Sequence, residues 1–140
     1  MITTPYLSVD GIIELCDEQG VLLGVVCIER KNPPHGWALP GGFVDVGETV
    51  EHALIREMKE ETSLDVTILS LLGVYSDPAR DARFHTVSIV YRCRAQGKPQ
   101  ACDDAKAVHV VPRERLAALD LVFDHKKIVE DYLKSPSSEA

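Results

Sequence analysis

The sequence predicts an α/β fold, in which a mixed β-sheet carries helices packed on it. Three observations support this: several short runs rich in β-branched residues, one helical stretch in the middle of the chain, and an amphipathic segment near its C-terminus. Strands before and after an isolated helix are typical of a sheet covered by helices. The 140 residues are enough for one domain with its own core. We place that domain at residues 1–134 and expect a frayed tail at 135–140.

The first half of the chain predicts a β-hairpin, a loop and a helix. The hairpin follows from two apolar, β-branched runs around a turn that ends in glycine. Paired prolines mark the loop. The helix begins with a threonine that can cap it, and the acidic residue in its first turn suits the positive N-terminal end of the helix dipole. The predicted bounds are strands at Ser8–Cys16 and Val21–Ile28, a turn at Asp17–Gly20, a loop at Lys31–Gly36, a short extended piece at Trp37–Pro40, and a helix at Thr49–Thr62.

The second half predicts the rest of the sheet and a closing helix. Alternation of apolar and polar residues indicates strands, and apolar residues at helical spacing near the C-terminus indicate the helix. The predicted bounds are strands at Leu64–Tyr75, Thr86–Arg94 and Ala107–Val111, a polar loop at Asp77–His85, a turn region at Gln96–Cys102, one or two helical turns at Arg113–Leu119, and a helix at His125–Leu133.

Composition and charge exclude several classes of partner. The net charge of −7 argues against a basic surface for nucleic acid. The longest apolar run, Val21–Ile28, is too short to span a bilayer, so we expect no membrane partner. The first ten residues lack the features of a signal peptide, and no two of the four cysteines have metal-site spacing. We therefore expect reduced, packed thiols and a cytoplasmic protein.

The acidic residues between Gly42 and Leu64 are the strongest functional signal. Three of them, Glu57, Glu60 and Glu61, fall within five residues. On an ideal helix Glu57 and Glu61 lie about 20° to either side of Val50. They therefore share its apolar, inward face.

The remaining polar residues of the helix lie elsewhere around its axis. Glu60 falls about 80° from Val50, near Arg56. The sequence places Thr62, with Lys59 and His52, on the other side of the helix. Arg56 is either a surface ion-pair partner of Glu60 or a group that orients Glu60 or Glu48.

Two carboxylates on a buried face require compensation. An unpaired buried charge is costly, so the carboxylates must be protonated or neutralised by a cation. Oxygen-rich carboxylate sites select hard ions such as Mg²⁺ or Mn²⁺. The alternative is a solvated acidic helix end, which the inward phase of Glu57 and Glu61 disfavours.

This pattern resembles the signature of the Nudix hydrolases, G-x5-E-x7-R-E-U-x-E-E-x-G-U, in which U is a bulky aliphatic residue. The matching positions in this chain are Gly42, Glu48, Arg56-Glu57-Met58, Glu60-Glu61 and Leu64. One position departs from it, because Ser63 stands where the family usually has glycine. That glycine ends the helix in a left-handed turn, so the departure affects the geometry of the helix end.

The resemblance implies an α/β/α sandwich with a mixed sheet and a loop-helix-loop catalytic motif. It implies hydrolysis of a nucleoside diphosphate derivative with Mg²⁺, or alternatively Mn²⁺, and a homodimer, which many relatives form. Water activated by a carboxylate would attack one phosphorus in line, and which carboxylate acts as base stays open. The implied roles are Glu57, Glu60, Glu61 and the Gly41 carbonyl as metal ligands, Glu48 and Arg56 as bracing groups, and Asp104 or Asp103 as a further acid or an ordinary polar turn.

A second stretch bears on the substrate. The segment Asp77–His85 resembles Asp-Pro-x-Arg-Asp-Pro-Arg-x-His of the ADP-ribose pyrophosphatase group, with Ala82 in place of the second proline. Phe123-Asp124-His125 resembles the same group. The candidate substrate contacts are Arg80 and Arg83 as a diphosphate clamp, His85 on phosphate or ribose oxygen, Asp77 within the motif, and Arg30 as a further phosphate contact. The alternative is a solvated loop with Arg80 paired to Asp77 or Asp81.

The resulting hypothesis is hydrolysis of ADP-ribose to AMP and ribose 5-phosphate. One alternative keeps the fold but takes a nucleoside triphosphate, such as a normal or oxidised dNTP. Another is a nucleotide-sensing domain without catalysis, although every carboxylate of the signature is present. Trp37 and Phe123 are candidates for stacking on a base or for core packing.

Overall fold

The structure, a computed structural model, describes residues 1–102 and 105–135. Within these ranges seven strands form one sheet, with two α-helices and one 3₁₀ helix. The strands are β1 (Tyr6–Cys16), β2 (Leu22–Arg30), β3 (Trp37–Ala38), β4 (Gly41–Phe43), β5 (Thr67–Tyr75), β6 (Thr86–Gln96) and β7 (Ala105–Val111). The helices are α1 (Val50–Thr62), the 3₁₀ helix Arg113–Ala118, and α2 (His125–Lys134).

Strand β1 is the centre of the sheet. The order along the sheet is β3-β2-β1-β6-β5, with β4 paired to β1 and β7 paired to β2. β1 runs parallel to β6 and antiparallel to β2 and β4, so the predicted mixed sheet is confirmed. The short β4 places Gly41 opposite Asp10 of β1.

A hydrophobic core lies on each face of the sheet, which makes the fold an α/β/α sandwich. Successive strand residues point to opposite faces, so Ile12 and Ile13, both fully buried, enter different cores. One core packs against α1 through Leu54 and Met58. The other packs against α2 and the 3₁₀ helix through residues that include Ile128.

Several predicted bounds differ from the structure. The strand predicted from Leu64 begins at Thr67, because α1 runs to Thr62 and Ser63 then turns the chain. The extended piece predicted at Trp37–Pro40 is strand β3, and β4 follows it at the Gly41-Gly42 pair. Glycine is rare in strand interiors, so the sequence pattern does not predict a strand at this pair.

The end of α1 corrects one predicted side-chain direction. Thr62 is fully buried, although helical phase alone placed it on the outer side. Its hydroxyl donates to the Met58 carbonyl, and its own carbonyl accepts from the backbone N–H of Gln100. The chain after β6 therefore covers this side of the helix at its C-terminal end.

The four cysteines are all free thiols. Cys16, Cys27 and Cys93 are buried, and Cys102 is partly exposed, in line with the prediction of mostly packed thiols. Burial raises the pKa of both Cys27 and Cys93 to about 12. These two thiols are therefore packing groups rather than nucleophiles.

Candidate active site

A cavity of about 280 Å³ lies where α1, β1 and β4 meet the loop before β6. Its walls carry both signs of charge. The carboxylates are Asp10, Glu57, Glu61 and Asp81, and the guanidinium groups are Arg30, Arg80 and Arg83. Anionic phosphate groups and a cation can therefore be held side by side in it.

The two glycines of β4 let carboxylates approach the backbone closely. The Gly41 N–H donates to Glu61 Oε1 at 2.7 Å. A Cβ on Gly42 would overlap the Glu57 carboxylate, and one on Gly41 would overlap Asp10 Oδ1. Any other residue at these two positions would displace an acidic group of the cavity.

The side-chain directions predicted from helical phase are confirmed for all three clustered glutamates. Glu61 is buried, with 6 % of its surface exposed. Glu57 is half-buried and lines the cavity with Glu61. Glu60 is exposed, lies outside this cavity and pairs with Arg56 at 3.1 Å.

Arg56 connects the loop before α1 to the carboxylates of the helix. It donates from Nε and Nη2 to the two oxygens of Glu48, and from Nη1 to Glu57 and Glu60. A further bond reaches the Phe43 carbonyl at 3.0 Å. The hydrogen bonds from Arg56, followed by the one from the Asp45 N–H, hold the pKa of Glu48 well below its usual range. The hydrogen bond to Glu48 raises the pKa of Arg56.

The cavity offers the type of donor atom, carboxylate oxygen, that a hard divalent cation prefers. Carboxylate oxygens of Glu57 and Glu61 lie against the two glycines of β4, beside Asp10. In this conformation, no three His, Cys, Asp or Glu side chains in residues 1–102 and 105–135 are grouped as metal ligands. Glu60 pairs with Arg56, and Glu61 accepts the Gly41 N–H.

Arg80 is held within the protein. Its Nε and Nη2 donate to the two oxygens of Asp124 at 2.9 and 2.6 Å, and Nη1 donates to Thr86 at 2.7 Å. The predicted alternative, in which Arg80 pairs with Asp77 or Asp81, is therefore wrong, because its partner is Asp124. Asp124 is 44 residues away in sequence, so local spacing could not identify it.

Arg83 and Arg30 lie beside the cavity with more of their surface available. Arg83 forms a bidentate pair with Asp81, and 39 % of its side chain remains exposed. Burial would raise the pKa of Asp81, but the hydrogen bonds from Arg83 outweigh it and lower that pKa. Arg30 donates to the carbonyls of Pro34 and Pro33 at 2.9 and 3.4 Å.

Two other predicted substrate contacts lie outside this cavity. Asp77 is exposed, and its side chain accepts the Ala79 N–H within a turn. His85 Nε2 donates to the Ser76 carbonyl at 2.9 Å. Both contacts order the loop between β5 and β6. The remaining candidate acids, Asp103 and Asp104, lie outside the described residues.

Sequence reasoning missed Asp10, and it named His125 only within the resemblance of Phe123-Asp124-His125, without a role; both side chains are buried and line the cavity. The Ser88 hydroxyl donates to Asp10 Oδ2. His125 Nδ1 accepts the Leu39 N–H at 3.0 Å, so Nε2 carries the proton and faces Asp10 Oδ1 at 3.8 Å. Burial lowers the pKa of His125, with partial opposition from Asp10 and Asp124. The sequence signal that could have identified Asp10 is the position of an acidic residue within the apolar run of β1.

The chain belongs to the NUDIX family, whose NUDIX domain pattern matches residues 5–132. It is 47 % identical over 133 residues to an ADP-ribose pyrophosphatase of Methanocaldococcus jannaschii, covering 93 % of this chain and 74 % of that protein.

Solved structures agree with this membership. The NUDIX domain of Shewanella oneidensis NrtR, complexed with ADP ribose, has a TM-score of 0.75 at 27 % identity and covers 95 % of this chain and 89 % of that one. A bifunctional NMN adenylyltransferase/ADP ribose pyrophosphatase of Francisella tularensis, complexed with AMP and Mn ion, has a TM-score of 0.79 at 28 % identity. That match covers 95 % of this chain but 42 % of the Francisella chain, so the chain spans less than half of it.

Membership and fold are thus confirmed, and NUDIX hydrolases use divalent metals. The assignments of individual site residues stay predictions, as do the homodimer, the cytoplasmic location and the domain bounds. Among the residues that the structure describes, none forms a helix long and apolar enough to cross a membrane.

Proposed function

We propose that this chain hydrolyses the diphosphate linkage of ADP-ribose to AMP and ribose 5-phosphate, with Mg²⁺ as its cation. The observation that carries the proposal is that Glu57 and Glu61 lie against the glycine pair Gly41–Gly42 of β4, in a cavity that arginines also line. The relative from Methanocaldococcus jannaschii supports ADP-ribose as the substrate, because the similarity extends over nearly the whole chain.

The cation would be held by Glu57, Glu61 and the Gly41 carbonyl. When bound, it supplies charge neutralisation to the diphosphate oxygens and polarises the phosphorus. The Mn ion in the Francisella tularensis complex supports a divalent ion of this type. Glu60 could join these ligands only by leaving its ion pair with Arg56, so we give it a smaller role.

The chain's own groups account for positioning and proton transfer. A carboxylate oxygen of Glu57 or Glu61 accepts a proton from water, whose oxygen then bonds to one phosphorus. The bond from that phosphorus to the bridging oxygen breaks, and the other half leaves as a phosphate monoester. Arg56 keeps Glu57 in place through a hydrogen bond of 3.1 Å.

We assign the contacts with the substrate phosphates to Arg83 and Arg30 rather than to Arg80. A guanidinium has five N–H donors, and the pair with Asp81 uses Nε and Nη2 of Arg83. Nη1 of Arg83 is therefore available for a phosphate oxygen. Arg80 is committed to Asp124 and Thr86 and instead fixes the loop that carries Arg83.

A substrate panel tests this proposal against its alternatives. The protein is incubated with MgCl₂ and either ADP-ribose or a set of dNTPs, including 8-oxo-dGTP, and the products are separated by ion-exchange chromatography. We expect AMP and ribose 5-phosphate in equal amounts and the highest kcat/KM for ADP-ribose. Pyrophosphate release from a dNTP at a higher kcat/KM than that for ADP-ribose would show that the substrate is a nucleoside triphosphate. Tight binding of ADP-ribose without products would indicate a sensing domain.

A further inference from the structure

We propose that the adenine base of the substrate binds in a second cavity, between Phe123 and the Pro33–Pro34 loop. This inference rests on the proposed function and adds to it the place of the base. The second cavity has a volume of about 490 Å³. It shares five lining residues with the active-site cavity: Pro33, Arg80, Asp81, Arg83 and Phe123. One elongated molecule can therefore occupy both cavities.

The lining of the second cavity suits a flat apolar group better than a sugar. Of the eight described residues that line it, five are apolar: Pro33, Pro34, Ala79, Ala82 and Phe123. The three charged residues are already paired, Arg80 with Asp124 and Arg83 with Asp81. A ribose would need several polar partners for its hydroxyl groups, whereas a base needs mainly apolar contact and few hydrogen bonds.

Phe123 is held firmly in an uncommon backbone conformation. Its φ of 58° lies in the left-handed region, where a bulky residue is disfavoured. The next two residues are anchored, because Asp124 accepts two hydrogen bonds from Arg80 and His125 accepts one from the Leu39 N–H. Such a conformation persists only where the surroundings determine it. The anchored ring forms a fixed wall of both cavities.

Arg30 joins the two walls of the second cavity. It donates to the carbonyls of both prolines on one side, and its guanidinium lies 5.1 Å from the Phe123 ring centroid on the other. Arg83, which lines both cavities, also lies 5.1 Å from that centroid. The cations are therefore at the junction, where a diphosphate must pass if the base lies beyond them.

A competing place for the base is the exposed aromatic cluster of Tyr6, Phe43 and Phe84. Its ring centroids are 4.7 to 6.2 Å apart. Tyr6 and Phe84 line neither of the two cavities, and the rings already contact one another. The Phe84 ring centroid lies 5.0 Å from the Arg83 guanidinium, much like that of Phe123, so a change at Phe84 is a matched control for a change at Phe123.

The test measures binding of AMP and of ribose 5-phosphate separately, by isothermal titration calorimetry in MgCl₂. Phe123→Leu keeps the bulk and the backbone preference but removes the aromatic face. Ala82→Phe fills the second cavity from an exposed position, which guards against a folding effect at Phe123. We expect both variants to bind AMP at least about five-fold more weakly, with ribose 5-phosphate unchanged. Phe84→Leu should bind both ligands as the wild type does.

Unchanged AMP affinity in Phe123→Leu and Ala82→Phe would overturn the proposal. Weaker AMP binding in Phe84→Leu alone would also overturn it, because the base would then lie on the exposed cluster. If Phe123→Leu binds neither AMP nor ribose 5-phosphate, the AMP affinity of Ala82→Phe decides whether the base binds in the second cavity. The outcome is separable from the proposed function: wild-type turnover of ADP-ribose with unaffected variants rejects only the base site. Selective loss of AMP binding without wild-type turnover rejects only the hydrolase.

Discussion

Arg56 holds Glu48, eight residues earlier in the chain, through two hydrogen bonds of 2.6 and 2.8 Å. The same guanidinium contacts Glu57, Glu60 and the Phe43 carbonyl. One side chain thus fixes the loop before α1 relative to the carboxylates of the helix. Lysine cannot reproduce this arrangement, since it lacks the planar fork of donors.

We expect Arg56→Lys to lower kcat for ADP-ribose by about 10- to 100-fold, because Glu57 loses the group that orients it. Steady-state kinetics with MgCl₂ measures this. Lys59→Gln is the control, since Lys59 lies on the same helix and its exposed side chain pairs with Asp65 at the surface. Its kcat should equal that of the wild type. An Arg56→Lys enzyme with wild-type kcat would show that the contacts with Glu48 and Glu57 do not matter for turnover.

Glu61→Gln and Glu60→Gln should differ sharply. Glu61 is buried in the cavity, so we expect its amide to reduce kcat by a factor on the order of 100 or more. Glu60 is exposed and paired with Arg56, so its amide should cost less than about 10-fold. Thermal unfolding supplies a second readout: MgCl₂ should raise the Tm of the wild type but not of Glu61→Gln. Equal losses in the two variants would contradict the ranking.

Ser63 ends α1 with a φ of 65°, the left-handed conformation expected of the family's glycine. We expect Ser63→Gly to raise the free energy of unfolding by about 1 kcal/mol, because glycine adopts this conformation without steric cost. Urea unfolding monitored by circular dichroism measures it. Ser63→Ala keeps the backbone cost but removes the hydroxyl contact with Cys102 at 3.1 Å, so it should not stabilise. Stabilisation by alanine rather than glycine would contradict this explanation.

Buried His125 should make stability depend on pH. Burial lowers its pKa in the folded protein below the unfolded value of about 6.5. The unfolded chain therefore binds more protons, so this contribution is complete above about pH 6.5 and is lost as the pH falls below it.

Urea unfolding at pH 7.5 and pH 5.5 checks this expectation. His125→Asn can still accept the Leu39 N–H and should lose less stability over that interval than the wild type. His35→Asn, a change at an exposed histidine, is the control and should follow the wild type. An identical loss in His125→Asn and the wild type would show that His125 does not cause the pH dependence.

The sequence predicted what depends on local order. Helix α1 and the inward phase of Glu57 and Glu61 follow from spacing within a few turns of chain. The predicted outward direction of Thr62 is wrong, because the chain around Gln100 buries this residue, and helical phase takes no account of contacts outside the helix.

The parts that the sequence did not predict are contacts between distant segments. Asp10 meets Ser88 of a parallel neighbour strand, 78 residues later. His125 meets Leu39 at a separation of 86 residues. No periodicity in one segment predicts such partners, because they depend on which strands become neighbours. The wall that Phe123 forms depends on the same long-range packing.

The most direct measurement is product formation from ADP-ribose in MgCl₂ by the wild type and by Glu61→Gln at equal protein concentration. AMP and ribose 5-phosphate are quantified by chromatography over a time course. We predict equal amounts of the two products from the wild type and, for Glu61→Gln, a rate on the order of 1 % of it or less. No AMP from the wild type, or the same rate from Glu61→Gln, would contradict the assignment of hydrolysis to this cavity.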